Sequence, residues 1–304
     1  MEQWDKIDAV NRMQKYIRNH LGERISLSAL ARVAGYSPWH TERIFKELTG
    51  LTPFSYIRAY RLSKAALVIR DQPKDKTILN VALDYVFDSH EGFTRAFSRQ
   101  FGVTPKRYQL KPEPIALFMP YQVRDYYVYR EKRRIESMDQ EKPVRSVFVQ
   151  VIERPARKAL IRRGIQATHY FEYCEEVGCE IWGILTSVKE ALYEPAGFWL
   201  PADWIKPGTS EYVQGVEVPE NYDGKIPEGF DLIDMPPCKM MIFQGEPYAD
   251  EDFEDAISEL WSLIDRYDPK LYGFEWADQD GPRFQLEPLG YRGYIEGRPV
   301  RTLA

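Results

Sequence analysis

The chain has 304 residues, 44% apolar and 29% charged, with 41 Lys plus Arg against 46 Asp plus Glu and a net charge of −5. At about 100–200 residues per domain, this length predicts two domains. No apolar run approaches the ~20 residues of a membrane span, which excludes a transmembrane protein.

The opening segment MEQWDKIDAVNRMQKYIRNH carries no apolar signal core, and the three cysteines are too few for a disulfide framework. Both features point to a reducing, cytoplasmic setting. The charge is divided unevenly. Residues 1–110 hold 18 Lys plus Arg against 11 Asp plus Glu, a net of +7, and the remaining 194 carry −12. A basic first third can be held by a polyanion through phosphate contacts and counterion release. The acidic remainder is repelled by the same polyanion and is expected to face away from it.

Within the basic third, ALARVAGYSPWHTERIFKELTGLTPFSYI at 29–57 resembles NVALDYVFDSHEGFTRAFSRQFGVTPKRY at 80–108. Arg43/Arg95, Phe45/Phe97, Gly50/Gly102, Thr52/Thr104, Pro53/Pro105 and Tyr56/Tyr108 match at an offset of 52, and Ala31/Ala82 at 51. Such self-similarity marks a duplicated supersecondary unit, with one residue added in the second turn. In the first copy Leu27, Leu30, Ala31 and Ala34 form an apolar stripe, Gly35 suits a helix stop, and Ser37 with Pro38 starts the next helix. On that second helix Ile44, Phe45 and Leu48 face inward. Trp39, Glu42, Arg43 and Lys46 share the opposite face. In the second copy Ser89 is the cap and Phe93, Phe97 and Phe101 face inward, leaving His90, Glu91, Thr94, Arg95 and Ser98 outside.

Helix, tight turn and a second helix showing Arg outward form a helix-turn-helix pattern, whose second helix enters the major groove of DNA. Arg43 and Arg95 can make bidentate contacts to guanine, and Trp39 can pack on a thymine methyl. Between the copies, residues 53–70 predict one helix of about 27 Å at ~1.5 Å per residue, with Tyr56, Ile57, Tyr60, Leu67 and Ile69 as inward candidates. Successive major-groove segments on one face of straight B-DNA lie about 34 Å apart. A rigid spacer of that length predicts either DNA bent toward the protein or incomplete engagement of one reader.

These residues closely resemble the AraC/XylS family of bacterial transcription regulators over about residues 5–110. The resemblance implies double-stranded promoter DNA and RNA polymerase as partners and a nucleoid-associated location. It also implies that one monomer places both readers in adjacent major grooves. Carried over by position, the base-facing residues are Trp39, Glu42 and Arg43 in the first reader and His90, Glu91, Thr94 and Arg95 in the second, with Lys46 beside the first set. Glu42 and Glu91 depart from better-known members, which carry Gln there. Glu accepts from cytosine and repels phosphate, so the target sequence does not transfer. Glu42 has a second possible role in orienting Arg43 or another arginine, and His90 in contacting phosphate.

Residues 111–143 read as a linker. Prolines 112, 114, 120 and 143 discourage long helix. The aromatic cluster Tyr121, Tyr126, Tyr127 and Tyr129 is too apolar for a free tether and is expected to pack on a domain, and REKRRIESMDQEK reads as a charged connector.

From 144 the pattern becomes two strands around Arg154–Pro155, a helix over HYFEYCEEVGCEIWGILTSVKEALY, and strands over GFWLPADW and SEYVQGVEV. A second round follows, with strand CKMMIFQGEP, helix DEDFEDAISELWSLIDRY, and strands RFQLEPLG and RGYIEGRPV. The fold class predicted is an all-α tandem helix-turn-helix domain (1–110) followed by an α+β domain (144–304) built from a duplicated βαββ unit.

The second domain resembles the GyrI-like small-molecule-binding domain. That resemblance implies a groove between the two repeats where aromatic rings and a Glu hold an amphipathic or cationic effector. Trp182, Trp199, Trp204, Tyr212, Trp261, Tyr272 and Trp276 supply rings able to face a cation. Glu296 leads the candidate carboxylates, ahead of Glu287 and Glu217.

Cys174 and Cys179 sit about 140° apart on the predicted helix and so do not share a face. No phosphate loop, nucleophile elbow or zincin motif appears. The reading is a regulator with no cofactor, metal or catalytic residues. Two alternatives stay open: hydrolysis of reactive small molecules by the second domain, and a DNA- or partner-binding protein without an effector.

Overall fold

The structure, a computed structural model, describes residues 2–71, 77–124, 126–127, 146–249 and 252–303. The chain divides into two units, Met1–Ile135 and Glu136–Ala304.

The first unit contains α1 (Glu2–Asn19), α2 (Leu27–Ala34), α3 (Pro38–Thr49), α4 (Pro53–Asp71), α5 (Ile78–Asp84), α6 (His90–Phe101) and α7 (Pro105–Leu110). The duplication extends to the helix starts. The Ser26 and Thr77 hydroxyls accept from Ala29 N and Asn80 N, those of Ser37 and Ser89 from His40 N and Gly92 N, and those of Thr52 and Thr104 from Ser55 N and Arg107 N, all at 3.0–3.4 Å. Each such cap satisfies one of the backbone donors a helix start leaves open, at about 1 kcal/mol apiece.

Two apolar cores result. Val10, Met13, Leu30, Ile44 and Phe45 enclose the start of α4 at Tyr56 and Ile57. Val81, Phe93, Phe97 and Tyr108 enclose its end at Leu62, Ala65, Ala66 and Ile69. Thus α4 belongs to both cores. Of the inward candidates, Tyr56, Ile57 and Ile69 are buried, whereas Tyr60 and Leu67 are half-buried. Leu62, Ser63, Ala65 and Ala66 escaped the sequence pattern because a helix wrapped by two cores has no single apolar stripe.

The beginning of the stretch read as a linker is packed. Ile115 and Leu117 complete the second core, and Phe118 and Val123 pack in the first. Phe118 N donates to Ser63 Oγ at 2.7 Å. The buried amide of Gln14 donates to Tyr121 O at 2.9 Å and to Tyr56 Oη at 3.1 Å, and accepts from Val123 N at 3.2 Å. Tyr127 packs against the first core. Tyr129 and the charged stretch 130–142 lie outside the described residues.

The second unit contains β1 (Val147–Arg154), β2 (Arg157–Arg163), α8 (Tyr170–Val177), α9 (Glu180–Ser187), β3 (Ala196–Trp199), β4 (Tyr212–Pro219), β5 (Asp231–Met235), β6 (Cys238–Gly245), α10 (Phe253–Arg266), β7 (Phe274–Trp276), β8 (Arg283–Leu286) and β9 (Ile295–Thr302). One antiparallel sheet runs β1-β6-β9-β8-β3-β4-β2-β5, with β7 on β9. Read outward from the β3–β8 contact, both halves have the same order, so the strand-helix-strand-strand unit is present twice, as β2 to β4 and β6 to β9.

The strand that precedes each unit joins the other one, since β1 pairs with β6 and β5 with β2. The connections explain this. Pro155–Ala156 and Pro236–Pro237 are two-residue links, and proline locks φ near −65°, which excludes the positive φ that tight hairpins need. Each pair of strands therefore turns a corner instead of closing a hairpin.

The structure differs from the sequence reading in three further places. The helix expected over 169–193 is two helices broken at Gly178, where φ is +104°. GFWLPADW is a strand only to Trp199 and continues into a 3-10 turn at Ala202–Trp204. The short strands β5 and β7 were not anticipated. No helix among the described residues is long and apolar enough to cross a membrane.

Candidate nucleic-acid interface and effector groove

On α3, Thr41, Ile44 and Phe45 are buried, which turns Trp39, Glu42, Arg43 and Lys46 outward. Trp39 is 70% exposed, an unusual display of indole that a packed domain does not require. The Arg43 guanidinium carbon lies 5.1 Å from the Trp39 ring centroid, and Arg43 Nη2 lies 3.4 Å from His40 Nδ1. Trp39 and His40 thus both lie against Arg43.

On α6, Phe93 and Phe97 are buried and His90, Glu91 and Arg95 are exposed. Thr94 and Ser98 are half-buried, and their hydroxyl oxygens are shielded from solvent with no hydrogen-bond partner among the described residues. Arg58, Arg61, Arg95 and Arg99 line one groove between α4 and α6. Arg61 is already committed there, donating to Leu21 O at 2.9 Å and to Glu23 O. Arg58 and Arg99 escaped the sequence reading, although their cationic groups on the helix flanks were visible as charge.

In the second unit, strand register builds a polar row. Gln214 faces Gly197, Gly197 faces Gln285, and Gln285 faces Glu296. Two residues along each strand, and so on the same face, Tyr212, Trp199 and Arg283 are aligned in the same way. Paired antiparallel residues share a sheet face, so both rows point the same way. Glu296 is 1% exposed and accepts a hydrogen bond from Arg283 Nε through Oε1. Its Oε2 is buried with no partner among the described residues.

The Arg283 guanidinium lies 4.8 Å from the Trp199 ring and 5.9 Å from the Trp261 ring of α10. Burial lowers its pKa from the ordinary arginine value. Trp199 Nε1 donates to Thr168 O at 2.8 Å, which fixes that indole. Below, Gln285 donates to Tyr212 Oη at 2.8 Å and accepts from Tyr294 Oη at 2.7 Å. Tyr212 lies so close to Gly197 that a Cβ there would collide with its hydroxyl.

Of the effector candidates, Glu296, Trp199 and Tyr212 are therefore brought together. Trp182 is buried on α9 and packs edge-on to Tyr170, 6.3 Å away. Trp204 packs in the core on the opposite sheet face. Trp276 packs on Phe243 and Tyr267 under the Arg298 guanidinium, 4.3 Å from its ring. Glu287 is exposed beyond β8, and its carbonyl accepts from Arg292. Glu217 lies on the other sheet face, within 2.8 Å of Arg154 Nη1 and of Arg157 Nε.

A helix-turn-helix domain model matches residues 30–111. The probable transcription factor PqrA of Proteus vulgaris is 39% identical over 104 residues, which cover 34% of this chain and 84% of that protein. The chain belongs to the AraC/XylS family of transcription regulators. The transposon Tn10 TetD protein of Escherichia coli is 47% identical over 94 residues, 31% of this chain and 67% of its own. The right origin-binding protein of Escherichia coli K12 is 43% identical over 109 residues, 36% of this chain and 37% of its own length. The match therefore spans little more than a third of that relative.

In this AraC-family chain, sequence reasoning missed Arg283, Gln285 and Tyr294 in the second unit. Arg283 opens RFQLEPLG and carries no motif. Only the β3–β8 register, at the junction of the two halves, brings it to Trp199.

Proposed function

We propose that the chain is a ligand-responsive, DNA-binding transcription regulator. The observation that carries the reading is the paired display of Arg43 on α3 and Arg95 on α6, on two like-built units sharing α4, in the basic part of the chain. Each guanidinium is a bidentate donor suited to guanine in a major groove. Trp39, Glu42, Lys46, His90, Glu91 and Thr94 flank them, with Arg58 and Arg99 available for phosphate. Promoter DNA and RNA polymerase are the macromolecular partners of this reading, in the bacterial cytoplasm.

The second unit is the effector sensor, a GyrI-like groove formed by Trp199, Trp261, Tyr212, Arg283 and Glu296. A ligand bound there alters DNA engagement only if it prefers one of two arrangements of the protein.

The test is site selection on random duplexes followed by Arg43→Ala and Arg95→Ala. Each variant should lose about 1–3 kcal/mol on the selected site and relax base choice at one position. Equal losses on unrelated DNA would refute base reading by these side chains.

A further inference from the structure

The sequence resemblance implies a groove for an amphipathic or cationic ligand, in which a cation would take Glu296 as its counter-ion. That place is already taken. The Arg283 guanidinium bonds Glu296 and faces both Trp199 and Trp261, so the chain fills its own cation site. A cationic ligand would have to expel Arg283, giving up one charge-assisted hydrogen bond and two ring contacts before gaining equivalents.

An anion meets no such barrier. Arg283 is 28% exposed at its side chain, whereas Glu296 is 1% exposed, so the charge nearer to solvent is positive. Among the described residues Arg283 hydrogen-bonds only through Nε. Its Nη1 and Nη2 thus present two parallel donors, the fork that matches a carboxylate, sulfonate or phosphate. The half-buried Trp199 and Trp261 flank that fork. From this geometry we infer that the groove takes a planar aryl anion, its acidic group on the Arg283 fork and its ring against Trp199 and Trp261. The inference rests on the effector reading given above and sets aside the cationic ligands among those the resemblance implies.

Two probes of one shape and opposite charge test it: 2-naphthoate and 2-naphthamidinium, titrated calorimetrically into the full chain. The chain should bind naphthoate more tightly by about tenfold or more, the scale of one charged hydrogen-bonded pair. Arg283→Met frees Glu296, whose Oε2 already has no partner among the described residues, and should reverse the preference. Arg283→Lys keeps the charge without the fork and should retain the preference at reduced affinity.

Preference for the amidinium by the unaltered chain would overturn the inference and leave the effector reading standing. The same naphthoate affinity in Arg283→Met would also overturn it. If neither probe binds the unaltered chain or any folded variant, the effector groove itself is refuted.

Discussion

Val86 stands in the second helix-turn-helix where Gly35 stands in the first, and both backbones are left-handed, with φ of +62° and +77°. Glycine reaches that region freely, but a β-branched residue is strained there. Strain of this kind costs about 1–3 kcal/mol, part of which glycine's extra freedom in the unfolded chain offsets. Val86→Gly should therefore raise stability by about 1 kcal/mol. Gly35→Val should lower it by about 1–3 kcal/mol through the backbone alone, because a Cβ at Gly35 meets nothing within 4 Å among the described residues. Calorimetric melting of both variants checks the pair, and a lower Tm for Val86→Gly would show that the Val86 side chain contributes more than its backbone costs.

Tyr56 and Tyr108 are repeat partners with unequal hydroxyls. Tyr56 Oη accepts from Gln14, while Tyr108 Oη is buried with no hydrogen-bond partner among the described residues. Removing a bonded buried hydroxyl costs about 0.5–1.5 kcal/mol, and removing an unbonded one costs little or stabilises. Tyr56→Phe should destabilise at pH 7 and Tyr108→Phe should not.

Burial pushes the Tyr108 phenol up to about 12. A raised folded pKa means stability that is complete below the unfolded value near 10 and is lost as pH rises through the folded one. Stability should therefore fall between about pH 10 and 12, and less steeply in Tyr108→Phe. Denaturant titrations across that range would show parallel curves if the phenol were not linked to folding.

Glu217 is the counter-charge for the buried Arg157 and the largely covered Arg154 where the corners of the sheet meet. Arg154 Nη1 and Arg157 Nε both lie 2.8 Å from it, and Arg157 also donates to Pro155 O and Pro236 O, one carbonyl from each corner. Removing one partner of a buried ion pair leaves an uncompensated charge, at about 3–5 kcal/mol. Glu217→Gln should cost the second unit that much and leave DNA affinity at low temperature unchanged. A melting temperature equal to that of the unaltered chain would contradict this.

Gly178 breaks the helix between Cys174 and Cys179, and each thiol shifts the pKa of the other. A hydrogen bond from Cys174 lowers the pKa of the exposed Cys179, while Cys174 is raised by serving as that donor and by burial. Burial also raises Cys238. Since the thiolate is the nucleophile, Cys179 should alkylate first and at lower pH than either of the others. Peptide mapping after limited iodoacetamide treatment measures this order, and equal labelling of Cys174 and Cys179 would contradict it.

The sequence by itself determined the tandem recognition units. Their caps, glycine stops and inward phenylalanines are set by neighbours within a turn or two, and helix periodicity alone turns Trp39, Arg43 and Arg95 outward. Local spacing also sufficed for the strand-helix-strand-strand order of the second unit, whereas the burial of Glu296 was not legible there.

Tertiary structure decided what long-range pairing controls. The double burial of α4 depends on two cores closing around one helix. The packing of residues 115–123 depends on Gln14 and Ser63, each more than fifty positions away. The charge balance of the Arg283–Glu296 cluster depends on the two meeting across β8 and β9, with Trp199 brought alongside by β3. A single arginine at the start of a short strand looks like any surface cation until the register of three strands aims it at two indoles and a carboxylate.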